Sequence, residues 1–173
     1  MRKLLSSAAL AALIAMFATH SNAIADDGYK FVQLEQTRDF SRAGAEHLRD
    51  GRAMLLMFSG DHCRFCITVE EDFLKPMLRS GDYDEMISMH KVQLSARERV
   101  IDFNGRRTTG RALAERYGVF VMPTVVFVDG NGNEVAPKRV GLMTEAYYGG
   151  YLDESIRAAA KYVQQREQLS AAP

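Results

Sequence analysis

Ala53-Met54-Leu55-Leu56-Met57-Phe58-Ser59-Gly60-Asp61-His62-Cys63-Arg64-Phe65-Cys66 opens as six unbroken apolar residues and ends in two cysteines separated by two residues. A short apolar run bounded by Gly51 and Gly60 suits a strand buried on both faces. Beyond it, Cys66, Val69, Phe73 and Met77 recur at helical spacing, and so does the row Ile67, Leu74 and Leu78. The spacing predicts a helix whose first turn carries the cysteine pair, with Pro76 kinking or ending it and Ser80-Gly81-Asp82 closing it. A C-x-x-C pair at a strand-to-helix junction is a redox signature.

Before this strand, residues 39–50 read as a short amphipathic helix, with Phe40, Gly44 and Leu48 on one face and Gly51 as the stop. Residues 26–38 are polar and read as irregular. Met89 to Leu94 alternates as a second strand, and residues 95–107 read as a surface loop. Thr108 or Thr109 caps a helix over about 110–117, with Leu113 and Tyr117 inward and Gly118 as the stop. The β-branched run Thr124-Val125-Val126-Phe127-Val128, the turn Asp129-Gly130-Asn131-Gly132-Asn133 and the return Glu134 to Val140 form a hairpin. Tyr148, Leu152, Ile156, Ala159 and Val163 mark a last helix interrupted near its start by Gly149-Gly150. The order helix, β, α, β, α, β, β, α predicts an α/β domain. Its centre is a mixed sheet of about four strands flanked by helices.

The first 25 residues read as an address. Met1-Arg2-Lys3 is positive, Leu4 to Ala18 is uncharged, and Ala23-Ile24-Ala25 is a small-x-small cleavage site. The competing reading is an uncleaved anchor, but the run is short for a bilayer span of about 30 Å. Division of the chain follows: a signal peptide over 1–25, an N-terminal extension with a short helix over 26–52, the main domain over 53–167 and a frayed tail over 168–173. Export suits a bacterial periplasm best, with secretion as the alternative, and no stable membrane insertion is expected after cleavage. The 173-residue chain balances 22 basic against 22 acidic residues. No excess of positive charge exists to attract phosphates, so nucleic acid is not an expected partner. Two cysteines cannot build a multi-disulfide scaffold or a four-cysteine zinc site.

A helix start points unpaired N–H groups and its positive end at the first sulfur. Cys63 is therefore the expected low-pKa nucleophile and Cys66, on the apolar row, the resolving thiol. His62 and Arg64 flank Cys63. Attack by Cys63 on a substrate disulfide gives a mixed disulfide that Cys66 resolves. Three other readings stand beside this one. The pair can be a structural disulfide, although closing so small a loop stabilises little. It can bind metal, Cu(I) above all, with His62, His47, His90 and nearby methionines as further ligands. It can also belong to an inactive domain.

From Ala53 to Lys161 the chain resembles thioredoxins. The strand and cysteine motif MLLMFSGDHCRFC (54–66) resembles the family's active site, and YGVFVMPTVVFVDGNG (117–132) its second signature. The resemblance implies the thioredoxin fold and a cis Met122–Pro123 bond facing the disulfide, with the Met122 backbone and His62 in the substrate site. It implies thiol:disulfide oxidoreductase activity with Cys63 and Cys66 catalytic, tuned by Arg64 and Phe65, and no cofactor. CRFCITVEEDFLKP (63–76) is similar to periplasmic thioredoxin-like proteins, including those associated with sulfur-oxidation systems. The chain departs from the family at His62, where tryptophan is usual, and at Arg64-Phe65, where Gly-Pro is usual. It departs again at Met57, where a buried carboxylate usually assists the resolving thiol. Glu70 or Glu71 can replace that carboxylate only if the helix turns them inward, and solvation suits both. Phe65 offers Cys63 no side-chain hydrogen bond, which favours a reductant of protein disulfides, recharged by a membrane redox partner, over a strong oxidant, while His62 and Arg64 pull the other way.

Overall fold

The computed structural model describes residues 30–95 and 97–171, so the expected signal peptide lies outside the described residues. The sheet is built around β2 (Ala53–Ser59), whose seven residues are all buried. Its side chains alternate between two cores. Ala53, Leu55 and Met57 join Cys66, Val69, Leu74, Leu152 and Ile156 on one face. Met54, Leu56 and Phe58 join Phe40, Leu113, Ala114 and Tyr117 on the other. Each fully buried Leu or Phe contributes about 1.5–3 kcal/mol, so a strand apolar on both faces anchors both layers at once.

Five strands form the sheet in the order β1-β3-β2-β6-β7. β1 (Glu35–Gln36) and β2 run parallel to β3 (Ile87–Gln93), while β6 (Thr124–Val128) runs antiparallel to β2 and to β7 (Glu134–Val140). The fifth strand comes from the segment expected to be irregular. Two polar residues carry no alternation to announce a strand, and β1 exists because the free edge of β3 pairs with it. β7 carries Pro137 and two irregularities of register with β6.

α1 (Phe40–Asp50) matches its expected span. Asp39 caps it by accepting the Arg42 N–H at 2.9 Å, and Gly51 ends it in a left-handed conformation. Gly44 lies against the β6–β7 turn so closely that a Cβ there would sit 2.2 Å from the Gly130 carbonyl oxygen. α3 (Gly110–Arg116) is capped by Thr109, with Leu113 and Tyr117 buried as expected.

α2 spans 64–80 and departs from a plain helix. An α-helical start, Arg64–Thr68, widens into a π-helical stretch, Val69–Leu74, before Lys75–Ser80 resumes the α form. Pro76 does not end the helix, which continues to Ser80. Its ring would crowd the carbonyl four residues earlier in a regular helix, and the widened turns lie directly before it.

Two further expectations are corrected. Residues 95–107 do not stay a loop: β4 (Arg99–Ile101) and β5 (Arg107–Thr109) pair as an antiparallel ribbon. Asp102 organises its turn by accepting the N–H groups of Asn104 and Arg106, both at 2.9 Å. Burial pushes the Asp102 carboxyl up, but these hydrogen bonds and the Arg106 guanidinium outweigh it and hold it below the usual range. α4 (Glu145–Ala171) runs unbroken through Gly149-Gly150. Two glycines cost a helix about 1 kcal/mol each, which the packing of Tyr148, Leu152, Ile156 and Ala159 in the core outweighs.

Candidate functional site

Cys63 and Cys66 are joined as a disulfide at the C-terminal end of β2. Cys63 is half-buried and caps α2, its Sγ accepting the Cys66 N–H at 3.2 Å. Cys66 is 2% exposed and lies in the core beside Met57 and Val69. The pair is thus asymmetric in access. His62, Arg64 and Phe65 are all exposed around Cys63. His62 adopts φ 57°, a left-handed conformation uncommon outside glycine that gathers at functional sites. Asp61 accepts a hydrogen bond from Gln93 at 2.8 Å, tying the loop before the cysteines to the end of β3.

The Met122–Pro123 peptide is cis. Met122 reaches over Gly60, where an added Cβ would stand 2.7 Å from its sulfur. The loop from Phe120 to Pro123 therefore meets the loop that carries the cysteines. Thr124 Oγ1 donates to the Val121 carbonyl at 2.7 Å, and the Gly141 N–H donates to the Pro123 carbonyl at 2.7 Å. Phe120 is 85% exposed, Val121 51% and Phe65 59%. Apolar surface of this extent around a reactive pair points to a binding face.

Beneath the disulfide, Met57 is fully buried and pairs across the strands with Lys91. The Lys91 ammonium donates to Glu70 Oε2 at 2.6 Å, and Lys75 stands 3.9 Å from the other carboxylate oxygen. Glu70 is therefore turned inward on the Cys66 side of the sheet, while Glu71 stays half-exposed and pairs with Lys75. Helical spacing alone could not separate the two, because the π-helical turns shift the face each presents.

His47 and His90, the other ligands considered for a metal, are elsewhere. His90 pairs with Leu56, on the sheet face opposite Cys66. It meets Ser88, whose Oγ lies 2.6 Å from His90 Nε2 and 2.7 Å from His47 Nε2, and Thr37 Oγ1 lies 2.6 Å from His90 Nδ1. His47 Nδ1 is buried without a partner. An unprotonated nitrogen tolerates that better than an N–H, so His47 carries its proton on Nε2 and donates to Ser88. Ser88 then donates to His90, and His90 to Thr37. Burial pushes the His90 imidazole down to about 3, assisted by His47 and Arg52, and burial lowers His47 as well. Among the described residues, no group of three or more His, Cys, Asp or Glu side chains could hold a metal ion. Among them, too, no helix is long and apolar enough to cross a membrane.

Exposed Phe120 and Val121 were not singled out in the sequence. The available signal was an apolar triplet placed just before a proline, where a connecting loop is ordinarily polar.

No curated protein matches this chain. Among solved structures, a DsbH oxidoreductase aligns with TM-score 0.52 at 18% identity, over 75% of this chain and 86% of its own. A thioredoxin-fold protein from Helicobacter pylori aligns with TM-score 0.46 at 22% identity, over 74% of this chain and 99% of its own. Malassezia sympodialis thioredoxin gives TM-score 0.47 at 16% identity, over 76% and 97%. Residues 40–156 match the thioredoxin-like domain model, from the first residue of α1 into α4 and across the cysteine pair, and the chain belongs to that family.

Proposed function

We propose that this protein is an exported thiol:disulfide oxidoreductase that reduces protein disulfides in the periplasm. The observation that carries the reading is the asymmetry of the pair, a half-buried Cys63 at a helix start bonded to a fully buried Cys66. In the reduced protein, the N–H groups and positive end of α2 favour the Cys63 thiolate. That thiolate attacks a substrate disulfide, forming a Cys63–substrate bond and releasing one substrate sulfur as thiolate, which takes a proton. Cys66 then loses its proton and attacks Cys63, freeing the second substrate thiol and closing Cys63–Cys66. Two electrons pass from the dithiol to the substrate. A membrane dithiol donor returns them.

The reductant direction is supported by Phe65, which is exposed and whose side chain carries no donor to stabilise a Cys63 thiolate. A less stabilised thiolate makes the dithiol a better reductant, placing the potential nearer the roughly −270 mV of thioredoxin than the roughly −120 mV of the strong oxidant DsbA. Export rests on the charge, apolar run and cleavage pattern of residues 1–25.

The test is direct. Cys63→Ser abolishes reduction of insulin disulfides, and Cys66→Ser accumulates mixed disulfides resolvable on non-reducing gels. Activity unchanged in both variants would overturn the reading. A potential near that of the strong oxidant would overturn its direction.

A further inference from the structure

The chain's zero net charge conceals a separation of charge across the sheet. Residues 97–116, which form β4, β5 and α3, hold six arginines against three acids. Residues 64–86, which form α2 and the turns after it, hold six acids against three bases. The two stretches lie on opposite sides of β2. Val100 of β4 and Leu113 and Ala114 of α3 pack with Leu56, whereas Val69 and Leu74 of α2 pack with Leu55. Arg97, Arg99, Arg106, Arg107, Arg111 and Arg116 are all exposed. Arg106 pairs with Asp102 at 3.3 Å, and among the described residues Arg99, Arg107, Arg111 and Arg116 form no ion pair.

The ribbon and the helix gather these guanidiniums on one surface. Arg99 faces Thr109 and Arg107 faces Ile101 across the two strands, two positions apart in register. Both arginines therefore leave the same side of the ribbon, with Val100 buried on the other. Arg106, Arg107 and Arg116 line one shallow depression of about 380 Å³ together with Thr108 and Leu113. Gly110, at the start of α3, lies so close to β3 that a Cβ there would stand 2.1 Å from the Gln93 carbonyl oxygen. Gln93 in turn pairs with Ser59, at the end of β2 that leads to Cys63. The arginine face thus begins, at Arg111, at the disulfide end of the sheet.

The make-up of this face points to its occupant. No large apolar side chain of residues 97–116 is exposed, in contrast to Phe65, Phe120 and Val121. A protein partner is held at apolar anchors that leave water, and this face offers none. A bilayer with anionic headgroups holds a basic face by charge alone, and the planar fork of arginine matches phosphate oxygens in pairs. The export pattern of residues 1–25 makes headgroups, and not nucleic acid, the phosphates this chain meets. We infer that the arginine face of β4, β5 and α3 docks reversibly on a membrane surface rich in anionic phospholipid. The same surface repels the acidic side formed by α2, which fixes which way the protein sits. Docked in this way, the protein holds its disulfide end at the edge of the contact. The inference goes beyond the oxidoreductase reading and does not need it.

The probe is the chain from Asp26, which keeps every residue of both described cores. It is mixed with vesicles of phosphatidylcholine alone, or of equal parts phosphatidylcholine and phosphatidylglycerol, and the bound fraction is read by co-sedimentation. The protein binds the mixed vesicles only, and binding falls about tenfold between about 0.03 M and about 0.3 M salt. Arg99→Gln, Arg107→Gln and Arg116→Gln each lower the partition coefficient about fivefold, with Tm unmoved because these side chains are exposed. Lys161→Gln removes the same charge from the exposed side of α4 and lowers the coefficient less than about twofold. Equal binding to both vesicles, arginine variants without effect, or an equal loss in Lys161→Gln overturns the proposal. Tighter binding to duplex DNA or to polyglutamate than to the mixed vesicles also overturns it, assigning the face to nucleic acid or to an acidic protein. So do salt-sensitive dimers without vesicle binding, which assign it to the acidic side of a second copy. The assay reads no thiol step, so a protein that reduces nothing still docks, and a protein that fails to dock keeps its reductase activity.

Discussion

Two regions of the sheet solve opposite problems. At the end that carries the disulfide, the protein leaves large apolar groups in water: Phe65, Phe120 and Val121 are all more than half exposed. On the face opposite Cys66 it does the reverse, burying His47, His90 and Thr37 behind α1 in a chain of hydrogen bonds. Neither arrangement is the cheapest for a stable domain. Exposed apolar surface is retained where a partner will cover it, and buried polar groups are tolerated where hydrogen bonds join them to one another. The difference separates what is kept for binding from what fixes the fold.

The comparison breaks most visibly with pH. His47 and His90 have folded pKa values below the unfolded value of about 6.5, so the unfolded chain takes up protons first. Stability is fully present above pH 6.5 and is lost as pH falls toward the His90 value of about 3. Burial and the Arg52 guanidinium both lower His47, and together they prevail over Asp50, Glu46 and Glu35, which raise it. We expect a loss of about 3 kcal/mol between pH 7 and pH 4, read from guanidinium midpoints, and a flatter profile in His90→Gln.

Next in size is Gly44→Ala. A Cβ 2.2 Å from the Gly130 carbonyl oxygen must push α1 off the β6–β7 turn. A cost of about 2 kcal/mol in chemical denaturation is expected, with the redox potential unmoved. Glu70→Gln acts on the other face. It breaks the 2.6 Å pair with Lys91, and because both groups retain some solvent the loss is about 1 kcal/mol. Smallest for stability is Phe120→Ala, within about 0.5 kcal/mol as a surface change. Its effect is expected instead in slower reduction of insulin with little change toward oxidised glutathione, measured side by side.

The sequence made the strands and helices around the cysteines legible because each depended on its own residues. Ala53 to Phe58 is apolar at every position, and Thr109, Gly51 and Gly118 bound their helices by local chemistry. What stayed hidden depended on distant partners. Glu35-Gln36 becomes a strand only because β3 offers an edge, and Gly149-Gly150 stays helical only because the core holds the residues around it. Glu70 could not be told from Glu71 while the π-helical turns were unknown. At the site, the cysteines were legible from spacing and chemistry. The exposed Phe120 and Val121 were not, because they come near the cysteines only once the loop with the cis Met122–Pro123 bond is packed over Gly60.

The sheet's two rims have a consequence for life in a crowded solution. An open sheet is a template for another chain, since its last strand has a row of unused N–H and carbonyl groups. Here one rim is only two residues long, Glu35–Gln36, and the other is interrupted by Pro137 and by irregular register. Neither offers a stranger a straight run to pair with. A protein that keeps apolar side chains exposed beside its disulfide thus closes the other common route to unwanted association. What sticks to it is steered to the side chains around Cys63, and away from the backbone.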